Sequence, residues 1–322
     1  MYLQFYGLRE APFNATPDPK FLYQSIRHRE ALAQLMYGVN ERKGFVVLTG
    51  EIGTGKTTLL RTLLARLDRN THVAYVYNTA LGIEGLLEYM LHDWNVKSTA
   101  TSHTQRILEL NDFLIEQHQQ GLSPVLIIDE AQNLSIETLE AVRQLSNFET
   151  DSQKLMQIVL VGQPELRTKL DSHELRQLKQ RIGLRFHIGP LEPEETRQYI
   201  RHRLRIAGAT STGIFADSAI QRITEYSRGV PRVVNIVCDH CLLSGFADDK
   251  HRIDASVVQE TIEYLEDNES ARWTPRRPLS FGTGQTNSVW VTRLGIAALV
   301  ALLLLLLVFA VNATGWFGYA IP

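Results

Sequence analysis

Gly50-Glu51-Ile52-Gly53-Thr54-Gly55-Lys56-Thr57 sets glycines, a lysine and a hydroxyl in the order G-x-x-x-x-G-K-[ST]. The chemistry of that spacing is phosphate binding. Glycines let the backbone curl until several N–H groups converge on one anion at the positive end of a following helix. Lys56 would reach the β- and γ-phosphates, and the Thr57 hydroxyl would hold Mg2+. The flanks agree with this reading. The apolar run Phe45-Val46-Val47-Leu48 precedes the loop, and Thr58-Leu59-Leu60-Arg61-Thr62-Leu63-Leu64 continues it with a helical pattern. Gly50, Glu51, Ile52, Gly53, Thr54, Gly55, Lys56, Thr57 and Thr58 are therefore the candidate nucleotide-binding residues, and they imply a nucleoside triphosphate.

A second constellation lies further along. Val125-Leu126-Ile127-Ile128 is an apolar strand that ends in Asp129-Glu130. Hydrolysis needs one carboxylate to hold Mg2+, usually through its water shell, and another to orient or deprotonate the attacking water. Neighbouring residues at the C-terminal end of one strand can reach both points. Asp129 is assigned to the metal and Glu130 to the water.

Strands and helices must position these groups. Residues 1–43 read as a leader with turns at Pro12, Pro17 and Pro19, then a helix from about Ser25 to Asn40 with Ile26, Ala33, Leu35, Met36 and Val39 on its buried side. From Gly44 to Pro190 strand and helix alternate, with strands at Phe45–Thr49, His72–Tyr77, Val125–Ile128, Gln157–Val161 and Leu184–Ile188. Short continuous Val/Ile/Leu runs separated by helices indicate a parallel sheet buried on both faces. Residues 191–267 read as helices only, a separate lid. Residues 268–289, with Pro275, Pro278, Gly282 and Gly284, read as a flexible linker.

The bulk properties set bounds. The chain has 322 residues, 21% charged, with a net charge of −2, so nothing global marks a polyanion binder. Cys238 and Cys241 are too few for a disulfide framework, and without a second ligand pair they read as two small buried residues of a helix. The N-terminus lacks the basic-then-apolar order of a signal peptide. Leu294–Val311 is an uncharged run of about 18 residues, long enough at ~1.5 Å per residue for a bilayer core. Residues 290–311 are therefore expected to form a transmembrane helix. Arg272, Arg276, Arg277 and Arg293 lie on the near side and no Lys or Arg on the far side, which places residues 1–293 in the cytoplasm and the short tail 312–322 outside.

The residues resemble the AAA+ ATPases, specifically the ExeA/GspA type of bacterial type II secretion and related pilus systems. The likeness covers about residues 1–266. It rests on Tyr2-Leu3-Gln4-Phe5-Tyr6-Gly7-Leu8, Pro12-Phe13, Pro17-Asp18-Pro19 and Arg27-His28-Arg29-Glu30-Ala31-Leu32. It continues through Asp129-Glu130-Ala131-Gln132-Asn133-Leu134, Leu145-Ser146-Asn147-Phe148-Glu149-Thr150 and Gly162-Gln163-Pro164-Glu165-Leu166. The resemblance implies an α/β P-loop NTPase sheet sandwiched by helices, an all-helical lid and one C-terminal transmembrane helix. It implies ATP hydrolysis with Mg2+, a homo-oligomeric ring or arc, by resemblance a hexamer, at the bacterial inner membrane, and a membrane-bound GspB-like secretion or pilus partner. The bilayer would be met through residues 290–311. The expected form is a short one, lacking the periplasmic peptidoglycan-binding domain.

By the same resemblance Gln163 is the polar sensor between γ-phosphate and water. Arg181 is the arginine finger that enters a neighbour's site, with Arg176 and Arg185 as nearby competitors. Arg232, in Gly229-Val230-Pro231-Arg232, is the second sensor, reporting nucleotide state to the lid. Tyr6, Phe13 and His28 are candidates for shaping the adenine pocket. The basic helix Tyr199-Ile200-Arg201-His202-Arg203-Leu204-Arg205 reads as a solvated face, and no nucleic acid is expected. The alternative is a nucleic-acid-dependent ATPase of the transposition-helper type.

Overall fold

The apolar runs of the sequence become a five-stranded parallel sheet whose three central strands are buried on both faces. The computed structural model describes residues 1–273 except 15, 17, 69, 78–80 and 152. In chain order the elements are α1 (Tyr2–Phe5), α2 (Ile26–Asn40), β1 (Phe45–Gly50), α3 (Lys56–Leu64), β2 (Thr71–Val76), α4 (Ile83–Asp93) and α5 (His103–Gln119). They continue with β3 (Ser123–Ile128), α6 (Ile136–Leu145), β4 (Gln157–Gly162), α7 (Pro164–Leu170), α8 (Arg176–Arg181) and β5 (Ile182–Ile188). The helical part comprises α9 (Pro193–Ile206), α10 (Asp217–Ser227), α11 (Pro231–Ala247) and α12 (Ala255–Trp273). Met1–Tyr264 forms one compact unit and Leu265–Pro322 another; of the latter only the end of α12 is described.

The sheet order is β2-β3-β4-β1-β5, with every described pairing parallel. Phe45, Val47, Leu126, Ile128, Ile158 and Leu160 point to one side, into a core completed by Leu86, Met90, Leu110, Leu139, Val142 and Leu166 of the covering helices. Val46, Leu48, Val125, Ile127, Val159 and Val161 point to the other, against Leu32, Leu35 and Val39 of α2 and Leu59, Leu60 and Leu63 of α3. With both faces covered, period-two alternation is hidden in the sequence as a continuous apolar run. The buried stripe of α2 is Ala31, Leu32, Leu35 and Val39, whereas Ile26 is 60% exposed and Ala33 is exposed too.

This order puts the C-terminal ends of β1, β3 and β4 side by side, so the residues that follow them meet at one edge. The lid is built from helices packed on Ile200, Leu204, Ile220, Ile223, Val234, Val237 and Leu242. Cys238 and Cys241 are fully buried free thiols in α11, as two small core residues of a helix must be. The leader is tied to the lid: Tyr2 donates to Asp239 Oδ1 at 2.7 Å, Tyr6 to the Lys250 carbonyl at 3.0 Å, and Arg9 N to the Ala207 carbonyl at 2.8 Å.

The transmembrane element of the expected fold class is corrected. Among the described residues no helix is long and apolar enough to cross a membrane. The two longest lid helices are too polar for a bilayer: α11 carries Arg232, Asn235 and Asp239, and α12 carries Glu260, Glu263, Glu266 and Asp267. The run over residues 290–311 lies outside the described residues. The fold class that stands is the α/β P-loop architecture with its helical lid, and the described residues supply no membrane-spanning helix for the expected single-pass, inner-membrane localisation.

Candidate functional site

β1 ends at Gly50, and the chain must then reverse into α3 within five residues. Gly53 (φ +81°) and Gly55 (φ +97°) make that turn in the left-handed region, where a Cβ is disfavoured. A Cβ on Gly53 would also lie 2.5 Å from Arg232 Cβ, so the loop and the lid touch there without room for a side chain. Thr54 Oγ1 donates to the Glu51 carbonyl at 2.9 Å, which closes the loop on itself.

The loop is braced from α2. Ser25 caps that helix, accepting from His28 N, and its Oγ lies 2.8 Å from His28 Nδ1. His28 Nε2 lies 3.0 Å from the Thr54 carbonyl, an acceptor, so the proton sits on Nε2. Burial pushes the His28 pKa down from the usual imidazole value, with the Thr54 bond partly opposing it. A neutral imidazole thereby holds the phosphate loop from behind.

Lys56 is buried and its ammonium donates to the Gly50 carbonyl at 2.7 Å and the Glu51 carbonyl at 3.0 Å. Burial lowers its pKa, and the carboxylates of Glu130, Asp129, Glu51 and Glu165 pull it back up. Asp129, at the end of β3, is buried. Its Oδ2 accepts from Thr57 Oγ1 at 3.3 Å and from Tyr75 OH at 2.9 Å, while Oδ1 accepts from Glu130 N at 2.9 Å. The Tyr75 pKa is raised by burial and by the negative Asp129 beside it, so this hydroxyl stays a donor.

Glu130 takes a left-handed conformation (φ 53°) just beyond the end of β3. Its Oε2 accepts from Gln132 Nε2 at 2.7 Å and from Gln163 Nε2 at 3.2 Å. Gln163 follows β4 and caps α7, whose first residue is Pro164. On the lid side, Arg232 N donates to the Gly53 carbonyl at 3.2 Å, joining the first turn of α11 to the phosphate loop.

Most of these groups surround one cleft of about 340 Å³, while Gly50, Glu51, Tyr75, Asp129 and Gln132 are not in its lining. Ile52, Gly53, Thr54, Gly55, Lys56, Thr57, Thr58, Glu130, Gln163, Arg232 and His28 all line it. Arg181 does not. It closes α8, and its Nη1 donates to Ser146 Oγ at 2.8 Å, to Asn147 Oδ1 at 2.5 Å and to the Arg143 carbonyl at 3.4 Å. Its competitors are placed elsewhere again: Arg176 Nη1 lies 3.1 Å from His173 Nε2, and Arg185 donates to the Lys179 carbonyl at 2.9 Å. Of the three residues expected at an adenine pocket only His28 is on the cleft. Tyr6 is buried against the lid, and Phe13 meets Phe215 edge-on at 6.0 Å.

The cleft has walls that sequence reasoning missed. Phe21, Leu22, Tyr23, Leu191 and Tyr199 give it an apolar end. Arg203 departs from the solvated reading of its helix: it is 6% exposed, with its guanidinium 4.8 Å from the Phe21 ring centroid and donating to Tyr199 OH at 2.8 Å. The i, i+4 spacing of Tyr199 and Arg203 was a signal that both share one helix face. Arg197 and Arg201, on the outer face, pair with Asp217 instead.

The residues suit a magnesium nucleotide better than a protein-caged metal. Among the described residues no group of three or more His, Cys, Asp or Glu side chains gathers to hold an ion. Thr57 and Asp129 offer one hydroxyl and one carboxylate, the sparse donor set Mg2+ uses when phosphates and water complete its octahedron.

Comparisons with known proteins agree with this geometry. A family profile described as AAA domain matches residues 39–170. General secretion pathway protein A of Aeromonas hydrophila is 39% identical over 99% of this chain; the chain spans about half the length of that relative, 54%. Among solved structures, the ORC2 protein of Aeropyrum pernix superposes with a TM-score of 0.60 at 16% identity, over 80% of this chain and 72% of that one. Cdc6p of Pyrobaculum aerophilum gives 0.58 at 18% identity, over 78% and 71%. At such identities these two structures speak for the fold alone. The AAA domain and the identity that runs along nearly the whole sequence support a likeness of this chain to general secretion pathway protein A, built around an AAA domain.

Proposed function

We propose that the protein binds ATP in this cleft and hydrolyses it with Mg2+, as an oligomer serving a bacterial secretion assembly. The observation that carries the proposal is the convergence of the phosphate loop, Glu130, Gln163 and Arg232 on one cleft, where Thr57 Oγ1 donates to the buried Asp129 Oδ2 at 3.3 Å behind the lining. In this reading the loop N–H groups and Lys56 bind the β- and γ-phosphates. Thr57 and Asp129 would hold Mg2+, which when bound neutralises charge on the phosphates. Glu130 takes a proton from the attacking water, Gln163 fixes that water's orientation against the γ-phosphate, and Arg232 couples the phosphate to the lid. ADP leaves with the β-phosphate oxygen and inorganic phosphate forms from the γ-group. A secretion-apparatus partner is the proposed client.

The test separates binding from turnover. Lys56→Ala should abolish binding of a fluorescent ATP analogue. Glu130→Gln should bind it within about 3-fold of wild type yet lose on the order of 100-fold or more in kcat. A wild-type rate in Glu130→Gln would remove Glu130 from its role.

A further inference from the structure

Gln132 is two residues beyond Glu130 and belongs to none of the roles assigned above, yet both ends of its amide are engaged. Its Nε2 donates to Glu130 Oε2 at 2.7 Å, and its Oε1 accepts from Gln163 N at 3.1 Å. The backbone N–H of Gln163 can only donate, which fixes the amide's orientation: the oxygen faces β4 and the nitrogen faces the carboxylate. The space for this comes from Gly162, where a Cβ would lie 2.6 Å from Gln132 Oε1. The short helical turn that presents Gln132, Ala131–Asn133, is held by the Lys169 ammonium, which donates to the carbonyls of Gln132 at 2.5 Å and Leu134 at 2.8 Å. Glu130, Gln132, Gln163 and α7 are thus joined through one oriented amide.

We propose that Gln132 is the positioning residue for Glu130: its amide aims the carboxylate and locks that aim to Gln163, so turnover depends on it while nucleotide binding does not. The physical basis is that a left-handed residue at a strand end leaves a three-torsion side chain with many directions to choose from. A donor on Oε2 selects one of them, and a misplacement of about 1 Å at a reacting group costs on the order of 100-fold in rate. Gln163 Nε2 reaches the same oxygen at 3.2 Å, so the two amides act as a pair.

The inference rests on the ATPase reading, and the experiment separates the two. Gln132→Glu is isosteric: it keeps an acceptor for Gln163 N and replaces the donor facing Glu130 with a carboxylate oxygen. Gln132→Ala loses both. Steady-state ATP turnover and binding of a fluorescent ATP analogue are measured for wild type, Glu130→Gln and both Gln132 variants between about pH 6 and about pH 8. The expected result is analogue affinity within about 3-fold of wild type and kcat lowered about 10- to 100-fold for both Gln132 variants, with KM little changed. A lowered kcat with unchanged KM and analogue affinity is a signature that a packing defect would not produce. A wild-type protein whose turnover Glu130→Gln leaves untouched overturns the ATPase reading and the inference together. Turnover that needs Glu130 but is unchanged in Gln132→Glu across the pH range leaves the reading standing and overturns the inference alone.

Discussion

His28 stands behind the phosphate loop as a neutral imidazole, and its protonation state is therefore part of the loop's stability. Its folded pKa is pushed below the ordinary value of about 6.5 by burial. The unfolded chain consequently binds a proton more readily than the folded one, and stability is full above about pH 6.5 and lost as pH falls toward the folded pKa. His202, also depressed by burial and by Arg205 and Arg203, adds a share of the same sign. Thermal unfolding at about pH 7.5 and about pH 5.5 should show a lower Tm at the acid point, and His28→Gln, which cannot titrate, should narrow that gap without removing it. An unchanged gap in the variant would mean that His28 does not carry this linkage. The residues of the site differ in how legible they were. Lys56, Thr57, Asp129 and Glu130 announce themselves because phosphate and water chemistry demands those types beside a strand end. Tyr75 and Gln132 do not: Tyr75 meets Asp129 only because β2 pairs with β3 so that Tyr75 lies opposite Ile127, and Gln132 meets Gln163 only because β4 runs beside β3. Neither register is written in local spacing.

Elements buried on both faces were the easiest to read. β1 and β4 are buried along their whole length, so each is an uninterrupted apolar run that ends near the predicted residue. α8 escaped notice because only Leu178 of its six residues is buried, too little to leave a period. In α2 the apolar pattern misassigned Ile26 and Ala33, since the buried face runs through His28, Ala31, Leu32, Leu35 and Val39 and includes a polar residue. The junction between sheet and lid depends on a backbone contact that periodicity cannot express. Leu191 N donates to the Gly229 carbonyl at 2.9 Å, Gly229 has φ +74°, and a Cβ there would lie 2.0 Å from the Leu191 carbonyl oxygen. Backbone meets backbone at that point, so no rotamer change relieves the clash. Gly229→Ala should lower stability by about 2 kcal/mol or more and weaken nucleotide binding by displacing the first turn of α11 from Gly53. Gly82→Ala is the matched control: φ is −73°, nothing lies within 4 Å, and the expected change is within about 0.5 kcal/mol. Equal denaturation midpoints for the two variants would dismiss the junction as a constraint.

At the scale of the whole molecule the position of Arg181 argues for more than one subunit per working site. Lys56, Arg203 and Arg232 line the protomer's own cleft, whereas Arg181 is held at the C-terminal end of α6, where carbonyls and the helix dipole favour a cation. We propose that this guanidinium completes the site of a neighbouring copy in a head-to-tail ring or arc, stabilising the transferring phosphoryl group there. Such an interface is heterologous: each subunit gives its arginine to one neighbour and its cleft to the other. Arg181→Ala alone should turn over ATP on the order of 100-fold more slowly than wild type, because an arginine acting on the transition state is worth that much or more. Glu130→Gln alone should be as slow for a different reason, since its arginine is intact and its own water is not activated. In an equal mixture, half of the subunits carry an intact Glu130 and half of their neighbours offer an intact Arg181. Activity should then recover to roughly a quarter of wild type if assembly is random. Two affinity tags on the two variants confirm that mixed assemblies form before the rate is read. Recovery places the arginine in the adjacent subunit's site, and a confirmed mixture no faster than its parts would put Arg181 outside any site shared between subunits.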